Sequence, residues 1–334
     1  MLSRAANNLY WMSRHIERAE NTARVLDVTY RMSLLPYRTP DQSWADPWAV
    51  PLVINGLATS YYERFPGTLD SEHVLRFMVL DPANPSSIWS CIQSARQNAR
   101  TVRGTITSEM YENINGLWLE MRNRANEDLL AQGGISEFFD WVKMRSHQFR
   151  GVTVGTMLRD EAYQFIRLGT FMERADNTAR ILDVKYHTLL PSVADVGGAV
   201  DYYQWGALLR SLSAFDSYRK VYRGAITPLK VAELLILRDD VPRSLHACSK
   251  EIYEILRGLC DAASYEPQRL AGELNAQLRY ARAEHIVALG LHEYLMSVLE
   301  KLLVLNNEID RHFLVPIYSQ RQMQVQVPVG APEG

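Results

Sequence analysis

The chain has 334 residues, of which 47% are hydrophobic and 22% charged, and its formal net charge is −2. This is the composition of a globular protein with enough apolar material for a sizeable core. A charge balance so close to neutral argues against nucleic-acid binding, which usually requires a basic surface. The three cysteines are far apart and odd in number, so we expect neither a disulfide framework nor a zinc knuckle. We predict no metal and no cofactor.

The N-terminal residues, MLSRAANNLYWMSRH, contain no continuous apolar segment of the kind that defines a signal peptide. No run elsewhere approaches the roughly 20 apolar residues that a membrane helix needs. We therefore expect a cytoplasmic protein that has no membrane or nucleic-acid partner.

The first predicted helix covers residues 9–30, where apolar or small residues recur at alternating spacings of three and four. A Leu-Leu-Pro sequence follows it, and proline disfavours helical backbone in the preceding residue, so the helix is expected to end there. Further helices are predicted at about 47–62, 71–80, 86–126 with a break, and 135–148.

The same pattern then starts again. A second long helix, 165–186, has the same apolar spacing and also precedes Leu-Leu-Pro. Further helices are predicted at about 201–219, 228–237, 241–260, and 266–312 with breaks. Strand signals are essentially missing, so the sequence predicts an all-α fold, a helical bundle.

An octet in the first long helix, ERAENTAR at 17–24, returns in the second as ERADNTAR at 173–180. Only Glu20 and Asp176 differ between the two copies. Other matches lie 157 residues apart, Leu80 with Leu237, Pro85 with Pro242 and Cys91 with Cys248. We interpret the chain as an internal duplication, with lobe A at 1–155 and lobe B at 156–318 related by a pseudo-twofold axis. Residues 319–334 lack helical periodicity and are expected to form a flexible tail.

The polar residues of each octet lie on one stripe of the helix, opposite the apolar seam. Because the flanks of both helices are also apolar, we predict that the stripe is buried, and its charges must then be paired or face a polar cleft. The stripe residues are Arg14, Glu17, Arg18, Asn21 and Arg24 in lobe A, and Glu173, Arg174, Asn177 and Arg180 in lobe B.

Two interpretations of the stripe remain open. It is a structural clamp, or it lines a polar cleft that binds an anionic ligand. In both, we predict that each octet glutamate pairs with an arginine from another helix, Arg100 or Arg103 for one of them, and not with the arginine next to it in sequence. The two long helices are predicted to pack on each other through the small residues of their seams, Ala19, Ala23, Ala175 and Ala179.

A second arginine stripe occurs in lobe A alone. Arg96, Arg100 and Arg103 fall on one face of a predicted helix, and only one arginine, Arg257, occupies the equivalent positions of lobe B. A stripe that one lobe lacks is not required by the fold, so it is a candidate for carboxylate or phosphate recognition. A solvated basic face is the alternative.

Three segments in order carry a family resemblance: LSRAANNLYWMSRHIERAENTARVLD, ARQNARTVRGTITSEMYENIN at 95–115, and GVTVGTMLRDEAYQFIRLGTFMERADNTARILD at 151–183. They resemble the bacterial alpha-E family, an all-helical family named for its Glu-Arg motif, and the resemblance covers almost the whole chain. It implies a catalytic role for none of the residues. The motif positions that it implies are Glu17, Arg18, Arg24, Arg100, Arg103, Glu109, Arg159, Glu173, Arg174 and Arg180.

Members of that family are typically encoded beside a circularly permuted ATP-grasp protein, a transglutaminase-like protease and sometimes a proteasome-like peptidase. The resemblance therefore implies a helical partner subunit of an ATP-grasp amide or peptide ligase. Two alternatives remain: an enzyme in its own right, using Glu17 or Glu173 as acid–base on an amide or aminoacyl group, and a purely structural scaffold. The sequence contains no HExxH or ExxH, no P-loop, no GxGxxG and no G-x-S-x-G.

Overall fold

The computed structural model describes residues 1–34, 46–126, 134–188, 199–261 and 264–314. Within these ranges all regular structure is helical and no strand occurs, which confirms the all-α class. In the same ranges, no helix combines the length and the apolar character that would let it cross a membrane. The proline helix ends predicted at Pro36 and Pro191 and the tail predicted at 319–334 lie outside the described residues.

The first half of the chain contains two long helices separated by shorter ones. Residues 47–62, predicted as one helix, form two, because the chain turns at Gly56, whose φ is +66°. The helices are α1 (Ser3–Ser33), α2 (Ala49–Ile54), α3 (Ala58–Arg64), α4 (Ser71–Leu75) with the π-helical turn Arg76–Leu80, α5 (Ile88–Thr101), α6 (Ser108–Asn126) and α7 (Gly134–Thr156).

The second half repeats this order of long and short helices. Residues 201–219 were also predicted as one helix and form two, here because Ser213 takes a left-handed backbone conformation with φ of 53°. The helices are α8 (Glu161–Thr188), α9 (Ala199–Ser211), α10 (Phe215–Val221), α11 (Pro228–Ala232) with the π-helical turn Glu233–Leu237, α12 (Leu245–Leu259), α13 (Tyr265–Tyr280), α14 (Ala283–Leu289) and α15 (Leu291–Ile309) with the π-helical turn Asp310–Leu314.

Serine side chains cap two helices that begin at matching positions of the two halves. Ser87 Oγ accepts a hydrogen bond from the Ser90 backbone N–H at 3.1 Å, and this starts α5. Ser244 Oγ accepts one from the Ala247 N–H at 2.9 Å, and this starts α12. Each cap satisfies a backbone donor that the first turn of a helix leaves without a partner.

Helices α1 and α8 pack side by side at the centre of the molecule. Helix α1 also contacts α5 and α7, and α8 also contacts α12 and α15. The backbones of α1 and α8 come very close at Gly169, where an added Cβ would lie 2.2 Å from the Tyr10 carbonyl oxygen and 2.3 Å from Ser13 Oγ. Only a glycine allows the two helices to approach in this way.

The prediction that α1 and α8 meet through their alanine seams is wrong. Ala19 and Ala23 are buried, but at 100° per residue they lie about 120–180° around α1 from Tyr10 and Glu17, which contact α8. The polar stripe therefore forms the α1–α8 interface. The apolar seam is buried on the opposite side of the helix.

Candidate functional site

The two Glu-Arg motifs bind each other across the α1–α8 interface. Arg174 on α8 donates from Nε and Nη2 to the two carboxylate oxygens of Glu17 on α1, at 2.9 and 3.0 Å. Arg18 on α1 donates from Nε and Nη2 to the oxygens of Glu173 on α8, at 2.5 and 2.9 Å. Each motif glutamate is thus held in bidentate geometry by the arginine of the other motif, an arrangement that the planar guanidinium favours.

A second arginine completes the environment of Glu173. Arg14 Nε donates to Glu173 Oε2 at 2.8 Å, while its Nη1 donates to Asn306 Oδ1 on α15 at 2.6 Å. The Arg14 guanidinium also lies over the Trp11 ring, 4.7 Å from its centroid. These contacts tie α15 to the pair of central helices.

Glu20, one turn after Glu17, is the centre of a larger cluster. It is fully buried. Arg243, from the loop before α12, donates to Glu20 Oε1 at 2.6 Å, and Arg150 on α7 donates to Oε2 at 2.6 Å. Ser146 Oγ donates to Oε2 at 2.7 Å, and Arg24 Nε to Oε1 at 2.8 Å.

The same two distant arginines also reach Glu17. Arg243 Nη1 donates to Glu17 Oε1 at 2.9 Å, and Arg150 Nη1 to Oε2 at 3.0 Å. Arg243 Nη1 donates in addition to Asn21 Oδ1 at 2.9 Å. The network thereby joins α1, α7, α8 and the segment before α12.

The single difference between the octets has a structural counterpart. Glu20 reaches Arg150 and Arg243, whereas the shorter Asp176 pairs with Arg180 of its own helix, at 2.7 Å from Arg180 Nε. The side chains of Asp176 and Arg180 are 30% and 43% exposed, whereas that of Glu20 is 0% exposed. Glu20 thus lies in a buried cluster that spans several helices, whereas Asp176 forms an ordinary i,i+4 surface pair, and the position that matches Arg150 in the second half, 157 residues on, is Asn307.

The arginines keep the buried carboxylates ionised. Burial by itself would raise the pKa of Glu173, but Arg18 and Arg14 lower that pKa to about 2. Burial opposes ionisation of Glu17 and Glu20 in the same way. Arg174 and Arg243 lower the pKa of Glu17, and Arg243 and Arg150 hold the pKa of Glu20 well below its ordinary value.

Each cluster contains more guanidinium groups than carboxylates. Four arginines surround Glu17 and Glu20, namely Arg24, Arg150, Arg174 and Arg243, and two surround Glu173, namely Arg14 and Arg18. Both clusters are consequently positive. An arrangement of this kind suits the binding of a further anionic group where a guanidinium is accessible.

A groove of about 870 Å³ lies beside the Glu173 cluster, between α1, α2, α8 and α15. Its charged lining has both signs, with Arg14, Arg18 and Arg180 on α1 and α8 and with Asp176, Asp183, Glu293 and Glu300 on α8 and α15. Its apolar lining includes Trp11, Ile54, Met172, Met296 and Leu303. The groove therefore combines arginine, carboxylate and apolar side chains.

The arginine stripe of α5 does not take part in either cluster. The prediction that Arg100 or Arg103 binds an octet glutamate is wrong, because both side chains are exposed, Arg100 near the end of α5 and Arg103 in the turn that follows it. Arg103 lies over the Tyr111 ring at 4.6 Å, and Arg96 Nε donates to Asn115 Oδ1 at 2.9 Å.

Of the other predicted site residues, some lie at the motif contacts and some do not. Glu109 and Arg159 are exposed and remote from the motif contacts. Asn21 and Asn177 are buried in the stripe, as predicted. The prediction that the glutamates pair with arginines from another helix is confirmed. The arginines of the motif themselves are those partners, each reaching across to the opposite helix.

The sequence reasoning did not identify Glu20, Ser146, Arg150, Arg243 or Asn306 as site residues. Glu20 carried a signal, since it is the one position at which the octets differ and it begins a Glu-x-x-x-Arg spacing. Arg243 and Arg150 carried none, because each comes from a segment more than 100 residues away from its partner. In the described residues no group of three His, Cys, Asp or Glu side chains is arranged to hold a metal.

Fold and site together define an all-helical protein whose Glu-Arg motifs are buried and mutually paired between its two longest helices. Residues 1–314 match the Alpha-E model, described as a predicted alpha-helical domain with a conserved ER motif. The chain therefore belongs to the Alpha-E family.

Relatives with known sequences include one protein of Mycobacterium bovis and one of Mycobacterium tuberculosis, both named only as uncharacterized. Each is 22% identical over 303 residues, which cover 85% of this chain and 33% of the relative. The chain thus spans about a third of the length of the relatives that it matches. No solved structure matches it significantly.

Proposed function

We propose that this chain is a helical partner subunit of an ATP-grasp amide or peptide ligase system. In this proposal the paired Glu-Arg motifs hold α1 and α8 rigid, and the groove beside Arg14 and Arg18 binds an acidic, partly apolar segment of the ligase or of its substrate. The observation that carries the proposal is the groove itself, which is lined by apolar side chains and by Arg14 and Arg18, two guanidiniums that share the single carboxylate of Glu173. An incoming carboxylate would balance the positive charge that Arg14 and Arg18 carry beyond that of Glu173, and basic groups of the same partner would face the carboxylates Asp183, Glu293 and Glu300 that also line the groove.

The state of the carboxylates favours a binding role over the alternative of an independent enzyme. An acid–base catalyst works best when its pKa lies near the operating pH. Glu17 and Glu173 instead have lowered pKa values, that of Glu173 about 2, because several arginines face each of them after burial. A carboxylate of this kind is a weak base and holds no proton to donate near neutral pH.

The length of the relatives also supports a partner role. In the Mycobacterium bovis relative the matching region makes up 33% of the protein, so about two thirds of that chain is additional sequence. A domain joined to other sequence in one protein is a good candidate to act with it when the two are encoded separately. A transglutaminase-like or proteasome-like peptidase is a second candidate partner in the same system. We place the subunit in the cytoplasm, where its three free thiols would stay reduced.

We further infer that the fold arose by internal duplication. Four pairs of matching elements begin 157 residues apart, α3 and α10 at 58 and 215, α4 and α11 at 71 and 228, α5 and α12 at 88 and 245, and α6 and α13 at 108 and 265. The π-helical turns follow the same offset, starting at 76 and 233. Under this inference a pseudo-twofold axis relates the two lobes and the two reciprocal motif pairs. The alternative of a purely structural scaffold explains these motif pairs but not the groove.

Co-purification with the ATP-grasp ligase encoded beside the gene tests the proposal. The two proteins should elute together on size exclusion, and Leu303→Glu should abolish the complex because it places a charge among the apolar residues that line the groove. Leu119→Glu is the matched control. Leu119 on α6 is also a solvent-facing leucine, 46% exposed against 61% for Leu303, but it lies outside the groove.

Two outcomes oppose the proposal. If no complex forms and the ligase has full activity without this chain, the partner role is wrong. If the complex forms but Leu303→Glu and Leu119→Glu weaken it equally, the groove is not the interface.

A further inference from the structure

The imidazole of His147 lies between two guanidinium groups at the surface of the Glu20 cluster. Its Nδ1 is 2.5 Å from Arg150 Nη2, and its Nε2 is 3.4 Å from Arg24 Nη2. The three residues come from two helices, Arg24 from α1 and the other two from α7. The Arg24 and Arg150 side chains are 12% and 25% exposed, so solvent reaches the site.

This arrangement leaves one donor without an acceptor. A neutral imidazole has one nitrogen that accepts and one N–H that donates, while guanidinium nitrogens only donate. His147 can accept from Arg150 or from Arg24 but not from both, and its other nitrogen then points an N–H at a second donor. Protonation of the ring would make both contacts donor against donor.

The charged groups around His147 add to the excess of hydrogen-bond donors over acceptors. Apart from the two arginines, the ionisable groups that act on His147 are Glu20 on α1 and Arg243 from the loop before α12. Glu20 already accepts from Arg24, Arg150 and Arg243, as well as from Ser146. Its negative charge is therefore shared among these donors. In the described part of the chain, Arg150 Nη2 contacts the His147 ring, while Arg150 Nη1 binds the carboxylates and Ser146.

We propose that Arg24, His147 and Arg150 form a binding site for a single oxyanion, a carboxylate or a phosphate group. The oxyanion would accept from both guanidiniums and from the imidazole, which becomes a donor at both nitrogens when it is protonated. One negative charge would replace the donor–donor contact and lower the positive excess of the Glu20 cluster. The site lies on α1 and α7, and none of its three residues lines the groove of the proposed partner interface.

The equivalent positions of the second half lack the site. The offset of 156 from Arg24 leads to Arg180, which is paired with Asp176 alone, and the offset of 157 from His147 and Arg150 leads to Val304 and Asn307. The fold thus does not require an arginine–histidine–arginine cluster at this place. Arg24 and Arg150 are held by Glu20, but that contact does not require an imidazole between them, and the position of His147 points to a ligand.

Proton NMR titration of His147 in the isolated chain tests the proposal. The protein is labelled at histidine, the His147 signal is assigned with His147→Gln, and the pH is varied from about 5 to 8, the range over which histidines titrate. The probes are inorganic phosphate and free glutamate, each at millimolar concentration, with sodium chloride of equal ionic strength as the reference. Burial and the nearby arginines lower the pKa of His147 in the free protein, and a bound anion should raise that pKa by about one pH unit.

Linkage gives the second expected result. An anion that raises the pKa of His147 by about one pH unit binds about tenfold more tightly when the ring is protonated than when it is neutral, so its affinity rises as the pH falls. A change with phosphate alone identifies a phosphate ligand, and a change with glutamate alone identifies a carboxylate. If neither probe moves the His147 pKa beyond the chloride reference, the proposal is wrong.

Variants separate the site from general electrostatics. Arg24→Gln should abolish the anion-induced rise in the His147 pKa, whereas Arg180→Gln, the same change at the equivalent surface position of α8, should retain it. Melting temperatures show whether both variants are folded. If Arg24→Gln does not fold, the titration of the wild type with the two probes and the chloride reference decides whether the anion site exists. An equal loss of the effect in both variants would also refute the site. These results do not depend on the ligase, so they stand or fall separately from the partner proposal.

Discussion

Glu17 of α1 and Arg174 of α8 form a bidentate pair, and Arg18 and Glu173 form the same pair in the opposite direction across one interface. Each octet therefore supplies the partner that the other requires. A change in one copy would remove a buried bidentate contact from the other, and breaking a buried ion pair is destabilising. This reciprocity is a physical reason for a polar sequence to occur in both long helices.

A double-mutant cycle should detect the pairing across the interface. We expect Glu17→Gln and Arg174→Gln to be coupled by about 1–3 kcal/mol in the free energy of unfolding, because the two side chains share a buried bidentate contact. Urea denaturation of the two single variants and the double variant measures the coupling.

The adjacent arginine provides the control for this cycle. Glu17→Gln and Arg18→Gln should be coupled much more weakly, because Arg18 binds Glu173 and not Glu17. Equal coupling in the two cycles would mean that the motif charges interact as a diffuse group and not as defined pairs.

The position at which the octets differ should be far more sensitive in α1 than in α8. Glu20→Asp withdraws the carboxylate from Arg150, Arg243 and Ser146, and we expect a loss of about 1–3 kcal/mol, the cost of leaving buried donors without acceptors. Asp176→Glu makes the reverse change on an exposed pair and should stay within about 0.5 kcal/mol of the wild type. Chemical denaturation of both variants provides the measurement, and similar effects would refute the assignment of Glu20 as the centre of its cluster.

The close approach of the central helices should be intolerant of a single methyl group. Gly169→Ala places a Cβ 2.2 Å from the Tyr10 carbonyl oxygen, so the helices must separate, at an expected cost of at least about 1–3 kcal/mol. Gly151→Ala is the control, because a Cβ there has no neighbour within 4 Å and α7 should gain up to about 1 kcal/mol from the better helix former. Thermal melting should therefore move in opposite directions, and a stable Gly169→Ala variant would contradict this packing.

Acid should weaken the fold through Glu173. Its pKa is lowered from 4.5 to about 2 in the folded protein because Arg18 and Arg14 outweigh the effect of burial. A lowered pKa contributes stability above the unfolded value, and that stability is lost as the pH falls through the interval from about 5 to 2. A pKa that is lower by one pH unit in the folded protein adds about 1.4 kcal/mol to the free energy of unfolding at neutral pH.

Stability measured against pH for the wild type and Glu173→Gln tests this expectation. The variant should be less stable at neutral pH, and the difference between the two proteins should shrink below about pH 4 as the wild-type carboxylate takes up a proton. A difference that stays constant down to about pH 2 would show that the ionisation of Glu173 does not stabilise the fold.

Much of the local structure follows from the sequence alone. Apolar spacing within about four residues sets the face that each helix buries, and it predicted both long helices and the burial of Glu17 and Glu173. Serine caps and left-handed turns act over similar distances. The sequence also predicted that each buried carboxylate needs an arginine from another helix, because the cost of an unpaired buried charge does not depend on the fold.

The tertiary structure alone decided which arginines those are. Arg243 lies 226 residues from Glu17 along the chain, and Arg150 lies 130 from Glu20. Apolar periodicity describes one helix at a time. It showed that α1 has an alanine seam on one face and a polar stripe on another, but it did not show which of these faces contacts α8. A guanidinium reaches its partner only when two backbones lie at a particular distance and rotation, and here Gly169 against Tyr10 sets that distance. The pairing of the two motifs, and the position of His147 between two arginines, follow from the packing of the helices and not from any residue pattern within them.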